Sequence, residues 1–341
     1  MNTSSALSAA PSSAVPHRVL SGIRATGRLH LGNYLGALKG MIELERRPEY
    51  QTFYMVADVH TVTTPYDVEE LRHNRREIII DYLAAGLDPE QSTLFIQSMV
   101  PEHLELAFYL ASVSSVARMQ HLPTFKDKVK QHPQHVTLAL LNYPVLMAAD
   151  ILIYKATQVP VGIDQQPHLE VAREIARKMN QQYGTDFPEP QRFVTPGEYV
   201  PSLKGEGKMS KSVEGSYINL TDTLAEIEEK LKRVPSDSGR GERPPETGGA
   251  ATLLKLVELF QGQEARQAYE AAYTGEGIRY AQLKSDLAEA VYQQVRPIQQ
   301  RRAQLEAAPA SVDQVIEAGA AKARQVASQT LEEVKYKLGL G

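Results

Sequence analysis

The 341 residues are 42% hydrophobic and 23% charged, enough apolar material for two packed domains. With 37 Lys plus Arg against 41 Asp plus Glu, the net charge of −4 argues against a protein that coats nucleic acid through bulk charge. The lack of any cysteine excludes disulfides, thiolate metal sites, iron-sulfur clusters and a cysteine nucleophile.

In chain order, residues 1–16 are mostly Ser, Ala and Pro with few side chains worth burying, and are expected to form a disordered tail. They lack the basic start and apolar block of a signal peptide, and no window is apolar enough for a membrane span, so a cytoplasmic protein is expected. From His17, strand-length apolar runs alternate with helical patterns: residues 18–23 then 32–45, 52–57 then 68–85, 93–97 then 101–113. That alternation predicts an α/β fold with a parallel sheet joined by crossovers. Asp67 and Glu70 have the spacing of a capping box at the start of the helix over 68–85.

After Arg118 the pattern turns helical. A long apolar stretch covers 136–154, a short strand 159–162, and a helix 167–183 that Gly184 closes. A Gly- and Lys-rich segment over 204–216 precedes an all-helical half, in which Leu224, Ile227, Leu231 and Val234 recur at helical spacing. Further helices are expected over 252–260, 264–273, 281–305 and 312–338, and 235–249 reads as a mobile loop.

Two segments carry chemistry. Residues 21–33 join the first strand to the first helix, and their glycines let backbone approach a phosphate beside a helix N-terminus rich in free N–H donors. His30 and Asn33, three apart, share a face and could both donate to phosphoryl oxygens. The glycines alone fit a plain tight turn equally well. The second segment, Lys208-Met209-Ser210-Lys211-Ser212, lies among Gly205, Gly207 and Gly215, so two ammonium groups sit on a loop free to close over a triphosphate. One lysine pair by itself is more often a solvated loop.

Together, His30-Leu31-Gly32-Asn33 and Lys208-Met209-Ser210-Lys211-Ser212 resemble the two signature motifs of class I aminoacyl-tRNA synthetases. Met147-Ala148-Ala149-Asp150 and Val159-Pro160-Val161-Gly162-Ile163-Asp164-Gln165 resemble the amino-acid and ribose motifs of the tryptophanyl-tRNA synthetases, from about His17 to the C-terminus. The resemblance implies a Rossmann-like catalytic domain over 17–212, with a helical insertion around 118–160, and a helical anticodon-binding domain over 213–341. It implies an aminoacyl-tRNA ligase that activates L-tryptophan with ATP and Mg²⁺, releases pyrophosphate, charges tRNA(Trp), and works as a homodimer away from membranes. A tyrosine-activating sibling, a small-molecule adenylyltransferase and a non-catalytic or regulatory paralogue are the alternatives.

By the same resemblance Asp150 accepts the indole N–H, a reading the chemistry supports because indole has one donor and no acceptor. Met147, Val159 and Val161 clasp the ring and Leu20 lines the same site; Tyr143 and Gln165 lie near the ammonium, and His60 is the pocket histidine. Arg24, Ala25, Thr26, Gly32, Asn33, Gly162, Asp164 and Val200 meet ATP together with the lysine loop, Met209, Ser210 and Ser212 included. Catalytic charge stabilisation falls to His30, Asn33, Lys208, Lys211 and Lys128, with Lys126 and Lys130 as alternatives to Lys128. Lys230, Lys232 and Arg233, and Arg296, Arg301 and Arg302, form clusters that could meet tRNA phosphates. Three positions depart from the family pattern: Leu20 for Phe, Arg24 for Gln and Thr124 for Gln. The chain has no tryptophan at all but sixteen tyrosines, which would keep its own synthesis going when charged tryptophan is scarce. Continued synthesis in cells deprived of tryptophan is the check on that idea.

Overall fold

The computed structural model describes residues 17–194, 199–211 and 213–341, so the expectations for residues 1–16 and for Ser212 lie outside the described residues. Strands β1 (His17–Arg24), β2 (Tyr50–Ala57), β3 (Ser92–Ile96), β4 (Gln158–Pro160) and β5 (Gln191–Phe193) form one parallel sheet in the order β3-β2-β1-β4-β5. β1 pairs with β2 along its full length but with β4 only at Val19↔Gln158. The carboxyl ends of β1 and β4 therefore part, and a crevice opens where the strand order reverses, the usual ligand position in such sheets.

The first crossover is α1 (Leu31–Asn33), a π turn over Tyr34–Leu38 and α2 (Lys39–Glu45). α3 (Val68–Ala85) starts where Asp67 accepts the Glu70 N–H at 2.8 Å and ends at Gly86, whose φ of 113° suits only glycine well. Next come α4 (Glu102–Ala111), α5 (Val116–Gln120), α6 (Pro123–Gln131), α7 (Leu138–Ile153) and α8 (Gln166–Tyr183), the last ended by Gly184 as the sequence suggests. The second half holds α9 (Leu224–Lys232), α10 (Gly248–Gln261), α11 (Gln263–Thr274), α12 (Tyr280–Ala307) and α13 (Pro309–Lys337).

These later helices pack onto the sheet. α12 lies on α3, and α13 lies so close to β3 that a Cβ at Gly319 would fall 1.7 Å from the Leu94 carbonyl oxygen. One apolar core accordingly runs from Val19 and Ile79 to Leu231 and Leu287 without a break at the proposed boundary. Residues 235–247 have no helix or strand, but Asp237 pins them by accepting from the Gly239 N–H and from the hydroxyls of Tyr273 and Tyr280. Among the described residues no helix is long and apolar enough to cross a membrane.

Candidate active site

Two cavities open side by side in the crevice, and Arg24, the last residue of β1, lines both. The first, about 370 Å³, lies between β1, the end of β4, α6 and α7. Met147, Val159, Val161 and Leu140 give it apolar walls, and Asp150 lies at its base, itself fully buried. Asp150 does not wait as an empty acceptor. His60 Nε2 lies 2.7 Å from Oδ2, while Gln97 Nε2 donates to Oδ1 at 2.7 Å and His103 Nδ1 lies 2.6 Å from the same oxygen. His103 is held in turn by the Tyr154 hydroxyl, 2.7 Å from its Nε2.

A carboxylate offers about four acceptor positions. Three are filled from within the protein, and the remaining one, on Oδ2, is the one a substrate N–H can use. Burial alone would raise the Asp150 carboxyl. Attraction to His60 and hydrogen bonds from His103 and His60 outweigh it and hold the group below the usual carboxylate range. The base of the cavity thus carries a fixed negative charge walled by hydrocarbon, which favours a flat apolar ligand with one donor.

On the opposite wall the Tyr143 hydroxyl donates to Thr124 Oγ1 at 2.7 Å and meets His168 Nε2 at 2.6 Å. Burial, and then the proximity of His60, lower His168 to about 4, so it is neutral at pH 7. Lys128 lines this cavity, whereas Lys126 and Lys130 do not. Gln165 lines it too and donates to Asp164 Oδ2 at 2.9 Å.

The second cavity, about 470 Å³, is built from a glycine-bearing turn and a lysine-bearing loop. Thr26, Gly27, His30, Gly32 and Asn33 face Lys208, Met209, Ser210 and Lys211 across it. Asn33 Oδ1 turns back to accept the His30 N–H at 3.2 Å, which leaves its amide N–H groups as donors. His30 is buried with Nδ1 unpartnered, and burial together with the Lys211 charge lowers it to about 4. It enters as a neutral imidazole, not as a cation. Gly32 leaves no room for a side chain, since a Cβ there would lie 2.8 Å from the His30 ring.

The lysine loop reaches both banks of the crevice. Lys211 Nζ donates to the Thr26 carbonyl at 3.3 Å, and Lys208 Nζ lies 4.0 Å from Asp164 Oδ2. Burial lowers Lys211 to about 8 despite the opposing field of Asp81. Behind the loop, residues 218–220 pair with the His30 turn through Leu31 N–H to Ile218 O at 2.9 Å and Leu220 N–H to Leu29 O at 3.1 Å. The His30 turn is therefore hydrogen-bonded to the segment that follows the lysine loop, while Lys211 itself reaches the Thr26 carbonyl. Gly162, just past the end of β4, lets the Asp164 carboxylate lie close over the backbone, where a Cβ would meet Oδ1 at 2.4 Å and displace it.

Three residues expected at the site stand elsewhere. Leu20 shares the sheet face of Gly22 and Arg24 but lies a step below the cavity, in the core with Phe53 and Val159. Ala25 and Val200 are buried in the other core, Val200 holding the loop through its carbonyl, which accepts the Met209 N–H at 3.0 Å. Of the basic clusters, Arg302 is 4% exposed and fully engaged by Asp81 and Glu77, so it is not a surface group for phosphates. Gln97, His103 and His168 lie outside every motif in the sequence. A polar residue at the carboxyl end of a buried strand is the signal that could have found Gln97.

Residues 12–295 match the family model described as "tRNA synthetases class I (W and Y)". The chain is 42% identical over 336 residues to the tryptophan-tRNA ligase of Caulobacter vibrioides, covering 95% of this chain and 96% of that one. It is 39% identical over 331 residues to the tryptophan-tRNA ligase of Porphyromonas gingivalis, covering 94% and 98%. Among solved structures it resembles the tryptophanyl-tRNA synthetase of Campylobacter jejuni complexed with ADP and tryptophan, with a TM-score of 0.83 and 31% identity over 95% of this chain and 100% of that one. The sheet order, the signature segments facing each other across one cavity and these likenesses agree: the chain belongs to the class I tRNA synthetases of the W and Y family.

Proposed function

We propose that this chain activates L-tryptophan with ATP, forming tryptophanyl-adenylate and pyrophosphate, and then transfers the tryptophanyl group to tRNA(Trp) in the cytoplasm. The observation that carries the reading is the buried Asp150 carboxylate with one acceptor position left, at the base of an apolar cavity that adjoins a glycine- and lysine-lined one. The tryptophan carboxylate attacks the α-phosphate in line, and pyrophosphate departs. The nucleophile is already ionised, so positioning supplies most of the rate.

In this reading Met147, Val159 and Val161 hold the indole, Tyr143 and Gln165 the ammonium, and Asp164 the ribose. His30 and Asn33 meet the phosphates as neutral donors, with Lys208 and Lys211 as cations that stabilise charge on the departing pyrophosphate. The phosphate-side lining contains no carboxylate, and among the described residues no cluster of His, Asp or Glu is set to hold a metal. Mg²⁺ therefore fits as an ion brought in on the triphosphate, where it would share the phosphate charge.

The helical half, from about residue 213, would read the anticodon. A second copy of the chain would cover the apolar face around Leu104, Phe108, Val116 and Leu138, whose exposures run from 49% to 83%. A monomer by light scattering at micromolar concentration would remove that part. Pyrophosphate exchange with tryptophan and tyrosine in parallel tests the main reading: exchange with tryptophan alone is expected, and exchange with tyrosine alone, or with neither, would overturn it.

A further inference from the structure

Arg24 stands where the two cavities meet, and its charge has no partner. Its Nη2 donates to the Thr64 hydroxyl at 3.0 Å, its Nε is buried without an acceptor, and among the described residues no carboxylate lies within salt-bridge range. Lys128 lines the same wall, and among the described residues its ammonium donates to Gln131 Oε1 alone, at 3.0 Å. The two cations feel each other: burial, and then the Arg24 charge, lower Lys128, while burial lowers Arg24 itself. A half-buried guanidinium with an idle N–H beside a second cation costs stability unless an anion comes to it.

The reaction brings two anions to this place, the α-carboxylate of tryptophan and the α-phosphate it must attack, and they repel each other. We propose that Arg24 is the group that binds the tryptophan α-carboxylate and carries it to the α-phosphate, its fork spanning the junction of the two cavities. The proposal deepens the functional reading above and rests on it. In the step itself one carboxylate oxygen forms a bond to the α-phosphorus, the bond from that phosphorus to the bridging oxygen breaks, and pyrophosphate leaves with the electron pair; no proton moves. A guanidinium stays charged throughout and presents parallel N–H donors, which suits a carboxylate better than an ammonium does.

The test separates carboxylate recognition from simple packing. Tryptamine keeps the indole and ammonium but has no carboxylate. By calorimetry, Arg24→Gln is expected to weaken tryptophan binding about tenfold or more while tryptamine binds as well as before or more tightly, and Arg24→Lys is expected to recover part of the loss. In pyrophosphate exchange the same variant is expected to raise KM for tryptophan far more than KM for ATP. Equal weakening of tryptophan and tryptamine, or a rise confined to ATP, would overturn the proposal. Wild-type protein that binds tryptophan in this carboxylate-dependent way without exchanging pyrophosphate would sink the catalytic reading and support the proposal; wild type that binds no tryptophan would end both.

Discussion

The two cavities that share Arg24 are built in opposite ways. On the amino-acid side the acceptor and the hydroxyl are held in place by the protein itself: Asp150 by His60, His103 and Gln97, Tyr143 by Thr124 and His168. On the phosphate side the donors come from a glycine-bearing turn and from a loop whose lysines rest on a backbone carbonyl and on Asp164. The first arrangement discriminates, because a rigid acceptor penalises any ligand that fails to fill it. The second must let a large anion in and complete itself afterwards, which a preassembled cage could not do. One chain thus keeps selection and charge stabilisation in separate walls, and each wall can be damaged alone.

Asp150→Ala strikes the rigid side and carries the largest expected effect. It removes the indole acceptor and strands His60, His103 and Gln97 together in a buried place. A fall of about a thousandfold in kcat/KM for tryptophan is expected in pyrophosphate exchange, with KM for ATP nearly unchanged. A loss below tenfold would show that the apolar walls alone select the substrate.

How far these walls can be read from the sequence differs between them. The phosphate wall is nearly all legible, because its parts are local: a turn after the first strand and a short lysine loop are each contiguous, and together they carry the resemblance to the family's two signature motifs. The network behind Asp150 is not, since His60, Gln97 and His103 come from different elements and meet only once the sheet is ordered. The same rule governs the fold. β2 and β3 are mostly buried and β1 has a buried centre at Val19, Leu20 and Ser21, so these strands stand out, while β5 has an exposed Gln191 and two half-buried neighbours and leaves no apolar run. α6 buries none of its residues fully, only half-burying Thr124, Phe125, Lys128 and Val129 along one face, so no apolar run marks it, and it still supplies Lys128 to the site. Leu20 shows the converse limit: its sheet face is readable, but its depth below the cavity is set by tertiary packing.

Lys211 gives the open side its own signature in pH. With a value of about 8 in the ligand-free protein, it is charged below that pH and neutral above it. The kcat/KM for ATP is therefore expected to fall by up to about tenfold per unit as pH rises beyond 8, whereas the binding of tryptophan alone stays level. The unfolded chain keeps this lysine near 10.4 and so holds more protons than the folded one between about 8 and 10.4; the group's cost to stability is full below 8 and is relieved as pH climbs. Lys211→Arg should erase the limb, and a limb that persists in that variant would assign it to another group.

The smallest expected effect tests whether the open wall depends on the helical half. Gln299 on α12 donates through Nε2 to the carbonyls of Leu220 and Asp222, both at 2.9 Å, directly below the pairing of Leu220 with Leu29. One turn further along α12, Arg302 grips Asp81, whose other oxygen accepts the Leu29 N–H at 3.0 Å. Two side chains of one helix thus brace the His30 turn and the root of the lysine loop from beneath. Arg302 is a poor probe, because its loss would take the salt bridge from the buried Asp81 carboxylate and endanger the fold. Gln299→Leu leaves only two carbonyls short of a donor, a cost of about 1–3 kcal/mol that falls on the loop root. A decrease in kcat of about threefold to tenfold is expected, with tryptophan affinity measured by calorimetry unchanged. If tryptophan affinity falls in step with kcat, the two walls are not mechanically separate, because a brace beneath the phosphate side would then be setting the shape of both.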